Sequence, residues 1–318
     1  MRKLAAAFTL LALCWTGFVS AASPAPFLWQ VQGPKAKHFL LGSVHLLPQD
    51  AEGLPDGIGE AYDAVDNLVF ESDIAALGNQ RSTRMLLNAA RNDRGLKAQL
   101  DAETYAKLQS RIARIGMPAQ LCDRYKAWFC ALSLEVFGYQ RAGFAGQYGL
   151  DQQLYNFAHE DGKNVDWFEP PPVHLGLFTD MPESLSKKFL SAALAEDGAS
   201  GDEPRKLYEA WRDNDVAKIE RLVTELKGQY PEVYAHLLAN RNEAWRGRLK
   251  KLLDGSRSQL IIVGAAHYVG PDGLLAKLKA DGYRVIPFVS SEGEQVAHAA
   301  TRRGTRLADA GGMAGTGR

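Results

Sequence analysis

The sequence predicts an α/β fold: a central mixed sheet built from two β-α-β units at the chain ends, with a large helical insertion between them. Three observations carry this expectation. Two apolar runs, His38–Leu41 and Gln259–Val263, lead straight into Gly-x-x-His, at Gly42–His45 and at Gly264–His267. Each is followed by a helical pattern and then by another strand-like run. The stretch from about residue 74 to 254 keeps helical rather than alternating periodicity.

The first 22 residues read as a secretory signal. Arg2 and Lys3 form a basic start, Leu4 to Val19 an apolar stretch, and Ser20-Ala21-Ala22 a small-residue cleavage site. Thr9, Thr16 and Gly17 interrupt the apolar run, which is short for a membrane span. Leu13 stands before Cys14 where a lipoprotein signal needs a small residue. The expected destination is the periplasm or the exterior. Cleavage leaves about 296 residues, enough for one domain with a substantial core, expected over 23–290. Its formal charge is zero for the whole chain and −2 without Arg2 and Lys3. No basic stretch interleaves with aromatics, which argues against a nucleic-acid partner. No second apolar segment is long enough to span a bilayer after signal cleavage.

Phe27–Val31 and His38–Leu41 are strand-like and separated by Gly33-Pro34, a hairpin signal. A helix over Pro55–Asp66 presents Ile58, Tyr62 and Val65 on one face, and the strand Asn67–Phe70 delivers Glu71. The far end repeats this plan. After Gly264–His267, Pro271 and Asp272 open a helix carrying Leu274, Leu275 and Leu278, Gly282 closes it, and Tyr283–Val289 is the next strand. Each unit is expected to contain a parallel strand pair with a right-handed crossover. In the insertion, helices are expected at Ala75–Asp93, Ala102–Ile115, Tyr125–Phe137, Leu150–Glu160, Pro182–Leu194, Glu203–Asp213, Val216–Leu226 and Pro231–Leu253. One strand, Asn164–Phe168, ends at Glu169. Asp197–Asp202 reads as a polar loop, and 291–318, rich in Gly and Ala, as a disordered tail.

Cys122 and Cys130 remain after cleavage. On one continuous helix, eight residues would separate them by about 12 Å, too far for a disulfide. A bridge therefore requires a break near Arg124–Lys126; without one they are two buried thiols.

Gly-x-x-His alone is a weak motif, because 30 glycines and 7 histidines in 318 residues supply about 0.7 such pairs by chance. The shared context is the stronger signal. Ligands of an open parallel sheet bind beyond the carboxyl ends of the strands. His45 and His267, 222 positions apart, are expected to meet there, with Gly42 and Gly264 allowing close approach. Two neutral imidazoles joined by a carboxylate suit a divalent ion such as Mn, Co, Zn or Fe. Glu71 is the natural third group, as ligand or as the base for a metal-bound water. Its competing reading is a helix N-terminal carboxylate within Glu71-Ser72-Asp73.

Other candidates carry two readings each. Asp151 suits the site or a helix start. Glu169 reaches the site or faces solvent. Arg241 and Asn242 hold a substrate carbonyl, steady Glu71, or form buried structural hydrogen bonds. Tyr268 is a candidate donor to a developing oxyanion. Trp128, Trp211 and Trp245 fall at apolar helical positions and read as core. There is no Gly-x-Ser-x-Gly elbow, no His-Glu-x-x-His helix and no phosphate loop. Cys122 and Cys130 lie in an apolar helical stretch, which disfavours a cysteine nucleophile.

At Phe39–His45, Leu68–Glu71, Gly149-Leu150-Asp151, Gly162–Val165, Arg241-Asn242 with Trp245, and Val263–His267 with Gly270–Leu275, the chain resembles the TraB/GumN family. That family is related to the Tiki metalloproteases and, more distantly, to erythromycin esterases and haem-binding ChaN proteins. The resemblance spans most of the mature chain. It implies a shared α/β fold and, by likeness to Tiki proteins, metal-dependent hydrolysis of a peptide bond, with His45, Glu71 and His267 as ligands or acid–base groups. GumN-like members sit with polysaccharide genes, TraB-like ones are linked to peptide-pheromone control, and ChaN relatives bind haem iron. The expected function is an extracytoplasmic metal-dependent hydrolase acting on a peptide or small molecule. The alternatives are a non-catalytic metal or haem binder using the same histidines and an accessory protein in envelope or exopolysaccharide assembly.

Overall fold

The computed structural model describes residues 24–51, 54–55, 57–195 and 203–290. The expected signal segment, the polar loop Asp197–Asp202 and the tail beyond residue 290 lie outside the described residues.

Six strands form the main sheet: β1 (Pro24–Gln32), β2 (Lys37–Ser43), β4 (Asn67–Phe70), β6 (Asn164–Trp167), β7 (Gln259–Gly264) and β8 (Arg284–Val289). A two-stranded ribbon pairs β3 (Leu47–Pro48) with β5 (Phe144–Ala145). The main sheet runs β6-β4-β7-β2-β1-β8. β2, β7, β4 and β6 are mutually parallel, whereas β1 is antiparallel to both neighbours, β2 and β8. The sheet is mixed, as the sequence predicts, and the Gly33-Pro34 signal marks the β1–β2 hairpin.

The two units are interleaved rather than side by side. β2 and β4 run parallel but are separated by β7, and β7 and β8 are separated by β2 and β1. Burial explains the order. Leu260 to Val263 and Phe39 to Leu41 are buried on both faces, which suits only the centre of a covered sheet. β6 and β8 carry mostly exposed or half-buried positions and take the edges.

The helical expectations hold in outline. Ala102–Ile115 and Leu150–Glu160 match their expected limits. The expected Ala75–Asp93 is broken at Asn79, whose side chain caps the second piece by accepting from Ser82 N at 2.9 Å. The expected Pro231–Leu253 divides into Pro231–Tyr234, a π turn at Ala235–Ala239 and Asn240–Leu253. Pro170-Pro171-Pro172 opens an unexpected helix, Pro171–Thr179, since proline fits a first turn where no N–H is needed.

Cys122 and Cys130 form a disulfide with Cα atoms 5.0 Å apart. The required break is present: one helix ends at Asp123, and Lys126, extended, stands at the N-cap position of the next, Ala127–Arg141. The bridge lies in a helical core with Leu108, Ile112, Leu134 and Leu190, distinct from the core around the sheet. Among the described residues, no helix is long and apolar enough to cross a membrane.

Candidate functional site at the carboxyl ends of four parallel strands

Register brings the chemistry together. Ser43 pairs with Gly264, and Phe70 pairs with both Ile262 and Trp167. The residues just beyond these positions, Val44-His45, Glu71, Ala265–His267 and Phe168-Glu169, therefore share one sheet edge. Phe168 N and Glu169 N donate to Phe70 O and Glu71 O at 3.0 and 2.9 Å, which extends the alignment past the strands.

A β-carbon at Gly264 would lie 3.3 Å from Glu71 Oε1, 3.5 Å from His45 Nε2 and 3.8 Å from His267 Cδ2. The two imidazoles and the carboxylate thus meet in the space left by the missing side chain. Gly42 serves the same closeness, with Ala265 Cα 3.0 Å from its would-be β-carbon and its carbonyl accepting from Trp211 Nε1 at 2.7 Å.

His45 is the accessible member, its side chain 59% exposed. Its Nδ1 lies 2.9 Å from Asp151 Oδ2, and since a carboxylate only accepts, Nδ1 donates and Nε2 is left toward Gly264. Asp151 sits in the first turn of its helix but caps nothing. Gly149 holds the cap position, and a β-carbon there would fall 2.3 Å from His45 O. Leu150 N donates to Val44 O at 3.0 Å, fixing the helix start against the His45 loop. The Asp151 carboxylate raises His45 to about 9. Water over the open face screens part of that attraction, so the upward direction is the result that counts.

His267 is the opposite case, with its side chain 4% exposed. Asn242 Nδ2 donates to His267 O and Asp272 O at 3.1 and 2.9 Å, so Asn242 Oδ1 must be the acceptor of His267 Nδ1–H at 2.7 Å. The lone pair therefore stands on Nε2. Burial lowers the imidazole to about 4, and it is neutral at neutral pH.

Glu71 does not cap the helix that follows; Asp73 does, accepting from Ala76 N. Glu71 Oε1 accepts from Gly264 N at 2.8 Å and Oε2 from Arg241 Nη2 at 2.7 Å. Burial would push this carboxyl up, but Arg241, His45 and the Gly264 N–H together hold it well below the usual range.

Glu169 and Arg241 complete the cluster. Glu169 accepts from Arg241 Nε and Nη2, both at 2.9 Å, from Trp245 Nε1 at 3.0 Å, and from His174 Nδ1 at 3.0 Å. Arg241 Nη1 donates to His267 Nε2 at 3.1 Å. Trp245 packs on the His267 ring with centroids 4.6 Å apart, and the guanidinium lies 4.6 Å from its ring. It is core and site wall at once, whereas Trp128 is core only.

Tyr268 corrects the expectation. Its hydroxyl, the expected donor, is already committed to Ile261 O at 2.9 Å, and its ring packs on Trp29. His174 was not among the sequence candidates; the signal for it was a histidine five residues after Glu169, one helical turn past a proline start.

Two imidazole Nε2 atoms and a carboxylate, with each Nδ1 tied outward to Asp151 or Asn242, have the donor chemistry of a divalent-metal site. As arranged, no three His, Cys, Asp or Glu groups among the described residues stand at ligating spacing. Arg241 lies among them and supplies the positive charge.

The TraB/PrgY/gumN family matches residues 27–287. Uncharacterized protein YbaP of Escherichia coli (strain K12) is 23% identical over 252 residues, 77% of this chain and 89% of YbaP. Its counterpart in Shigella flexneri is 22% identical over 245 residues, 76% of this chain and 87% of that protein. No solved structure matches the chain. With the family match running from the first strand of the sheet to the last, the chain belongs to the TraB/PrgY/gumN family.

Proposed function

We propose that this protein is an exported hydrolase of peptide or ester bonds whose site is the His45–Glu71–His267 cluster, with those three side chains as the donors a divalent ion would take if they drew closer than the spacing they have here. The observation that carries the reading is the matched tethering of the imidazoles. Each is fixed through Nδ1 by an outer side chain; His45 turns Nε2 toward Gly264, and His267 presents Nε2 to Arg241 Nη1 and, at 3.7 Å, to Glu71 Oε1. That is the orientation ligating histidines need. The Cys122–Cys130 bridge and the basic-apolar-small start of the chain support export into an oxidising compartment.

A divalent ion would supply polarisation of the scissile carbonyl and a more acidic bound water. Asp151 and Asn242 orient the two imidazoles and hold their tautomers. Glu71, kept ionised, takes the proton of the attacking water as the new C–O bond forms. It returns that proton to the leaving nitrogen or oxygen as the old bond breaks. The exposed face of His45 gives substrate its approach.

The test is elemental analysis of untagged protein together with turnover on a panel of peptides and esters. The reading expects about one equivalent of metal, lost in the His45→Ala/His267→Ala double variant, and turnover lost in Glu71→Gln. Wild-type protein that turns over no member of the panel with any added divalent ion, or Glu71→Gln as active as wild type, overturns it.

A further inference from the structure

Three histidines belong to the cluster, and they differ in what they leave open. His267 is shut: Nδ1 is tied to Asn242 Oδ1, and Nε2 receives Arg241 Nη1. His45 and His174 are alike. Each is held through Nδ1 by a carboxylate, Asp151 at 2.9 Å and Glu169 at 3.0 Å, with side chains 59% and 21% exposed. A carboxylate only accepts, so Nδ1 donates in both, and Nε2 is the nitrogen left for a substrate. Among the described residues neither Nε2 has a hydrogen-bond partner. The strand order β6-β4-β7-β2 sets Glu169, Glu71, Gly264 and His45 in that sequence along one edge. His174, tied to Glu169, therefore flanks Glu71 from the β6 side as His45 does from the β2 side. It is close, because Arg241 Nη2 lies 3.4 Å from His174 Nδ1 and 2.7 Å from Glu71 Oε2.

The remaining donors of the cluster are committed. The Tyr268 hydroxyl donates to Ile261 O, and Asn242 Nδ2 to two backbone carbonyls. Arg241 does not give up a proton. Glu71 is pinned at both oxygens, Oε1 by the Gly264 N–H and Oε2 by Arg241, which fixes it on one side of a substrate. We infer that His174 is a further catalytic residue, the general acid that protonates a leaving nitrogen, and that the bond cleaved is a peptide amide rather than an ester. The inference rests on the hydrolase reading above and involves no ion. Glu71 takes a proton of the attacking water as the water oxygen bonds to the carbonyl carbon. Protonated His174 gives its Nε2–H to the amine nitrogen as the C–N bond breaks, leaving acid and amine. Glu169, accepting from Nδ1, orients the imidazole before and after the transfer. The proton on Glu71 passes to solvent, and a solvent proton restores His174, whose side chain is open to water. An amine is too basic to leave as an anion and needs this donor, whereas an activated phenol does not.

The test compares two substrates that share one acyl group, a peptide alkylamide and the p-nitrophenyl ester, in mature wild-type protein and in His174→Gln. The p-nitrophenolate departs without a proton. His174→Gln is expected to lower kcat on the amide about 100-fold, the size of a lost general acid, and to leave the ester within about threefold of wild type. A merely structural role would lower both together. The ratio of the two rates does not depend on how much of the variant is folded, so misfolding cannot imitate the result. An unchanged ratio, or wild type that cleaves the ester but not the amide, overturns the inference and leaves the hydrolase reading standing. Wild type that cleaves neither substrate removes that reading and the inference with it.

Discussion

Asp151 and His45, 106 positions apart, face each other across 2.9 Å at the mouth of the site. The carboxylate is held by a helix whose first turn has no side-chain cap, and the imidazole by a loop whose backbone that helix start grips. Neither residue is placed by its own secondary structure alone.

The Asp151→Asn variant should therefore change His45 without unfolding the sheet. The His45 titration, followed by its imidazole NMR signals, is expected to drop from about 9 toward the ordinary histidine value. Loss of an outer orienting partner should lower turnover by about 10–100-fold. An unmoved His45 titration would show that the pair does not exist in solution.

Stability should fall on both sides of a plateau near pH 6.5. His267 is lowered to about 4 by burial, so the stability it contributes is full above 6.5 and is lost as pH falls toward 4. Buried His38 is lowered too and adds to this limb. His45 is raised, so its contribution is full below 6.5 and declines as pH rises through about 9, damped by exposure. Melting temperatures across this range should show His267→Asn flattening the acid limb and Asp151→Asn the alkaline one.

Gly149→Ala should be disproportionately costly for an exchange at a helix start. The new methyl would lie 2.3 Å from His45 O, which is backbone and cannot step aside. A loss of about 1–3 kcal/mol is expected from urea titration, together with reduced turnover because the His45 loop must shift. Gly162, with open space around its β-position but φ of +69°, offers a control in which conformational strain acts alone.

Replacing Cys122 and Cys130 by alanine should cost about 2.5 kcal/mol, the loop-closure value for so short a loop. The bridge lies in the helical core, so the loss should appear there first, as faster amide exchange around Leu108 and Leu134, with β2 and β7 protected as before.

The strand ends were legible in the sequence because a doubly buried strand and a Gly-x-x-His beyond it leave local marks. Glu71 was found the same way, as the residue just past Asn67–Phe70. Strand order was not legible, because the choice between neighbouring and interleaved units depends on which faces the remote helices cover. Arg241 was legible only in part: steadying Glu71 was one of its three readings, and its Nη2 does donate to Glu71 Oε2. A long helix shows that position 241 is buried but not that Glu169, His267 and Glu71 converge on it from three strands. Tyr268 misled for a related reason: adjacency to His267 in the chain does not show that its hydroxyl is committed to Ile261 O.

The interleaved order has a consequence for how the protein comes into being. Its central strand, β7, belongs to the last quarter of the chain, yet it separates β2 and β4 from the first quarter. Until that late segment slots in, the early segments lack the strand that pairs with both, and His45 and Glu71 have no Gly264 between them. A chain emerging unfolded from an export channel would pass through compaction of its helical middle with no working centre. Competence would switch on in a single late step, after the C-terminal strands arrive, at the speed limit set by closing very long loops.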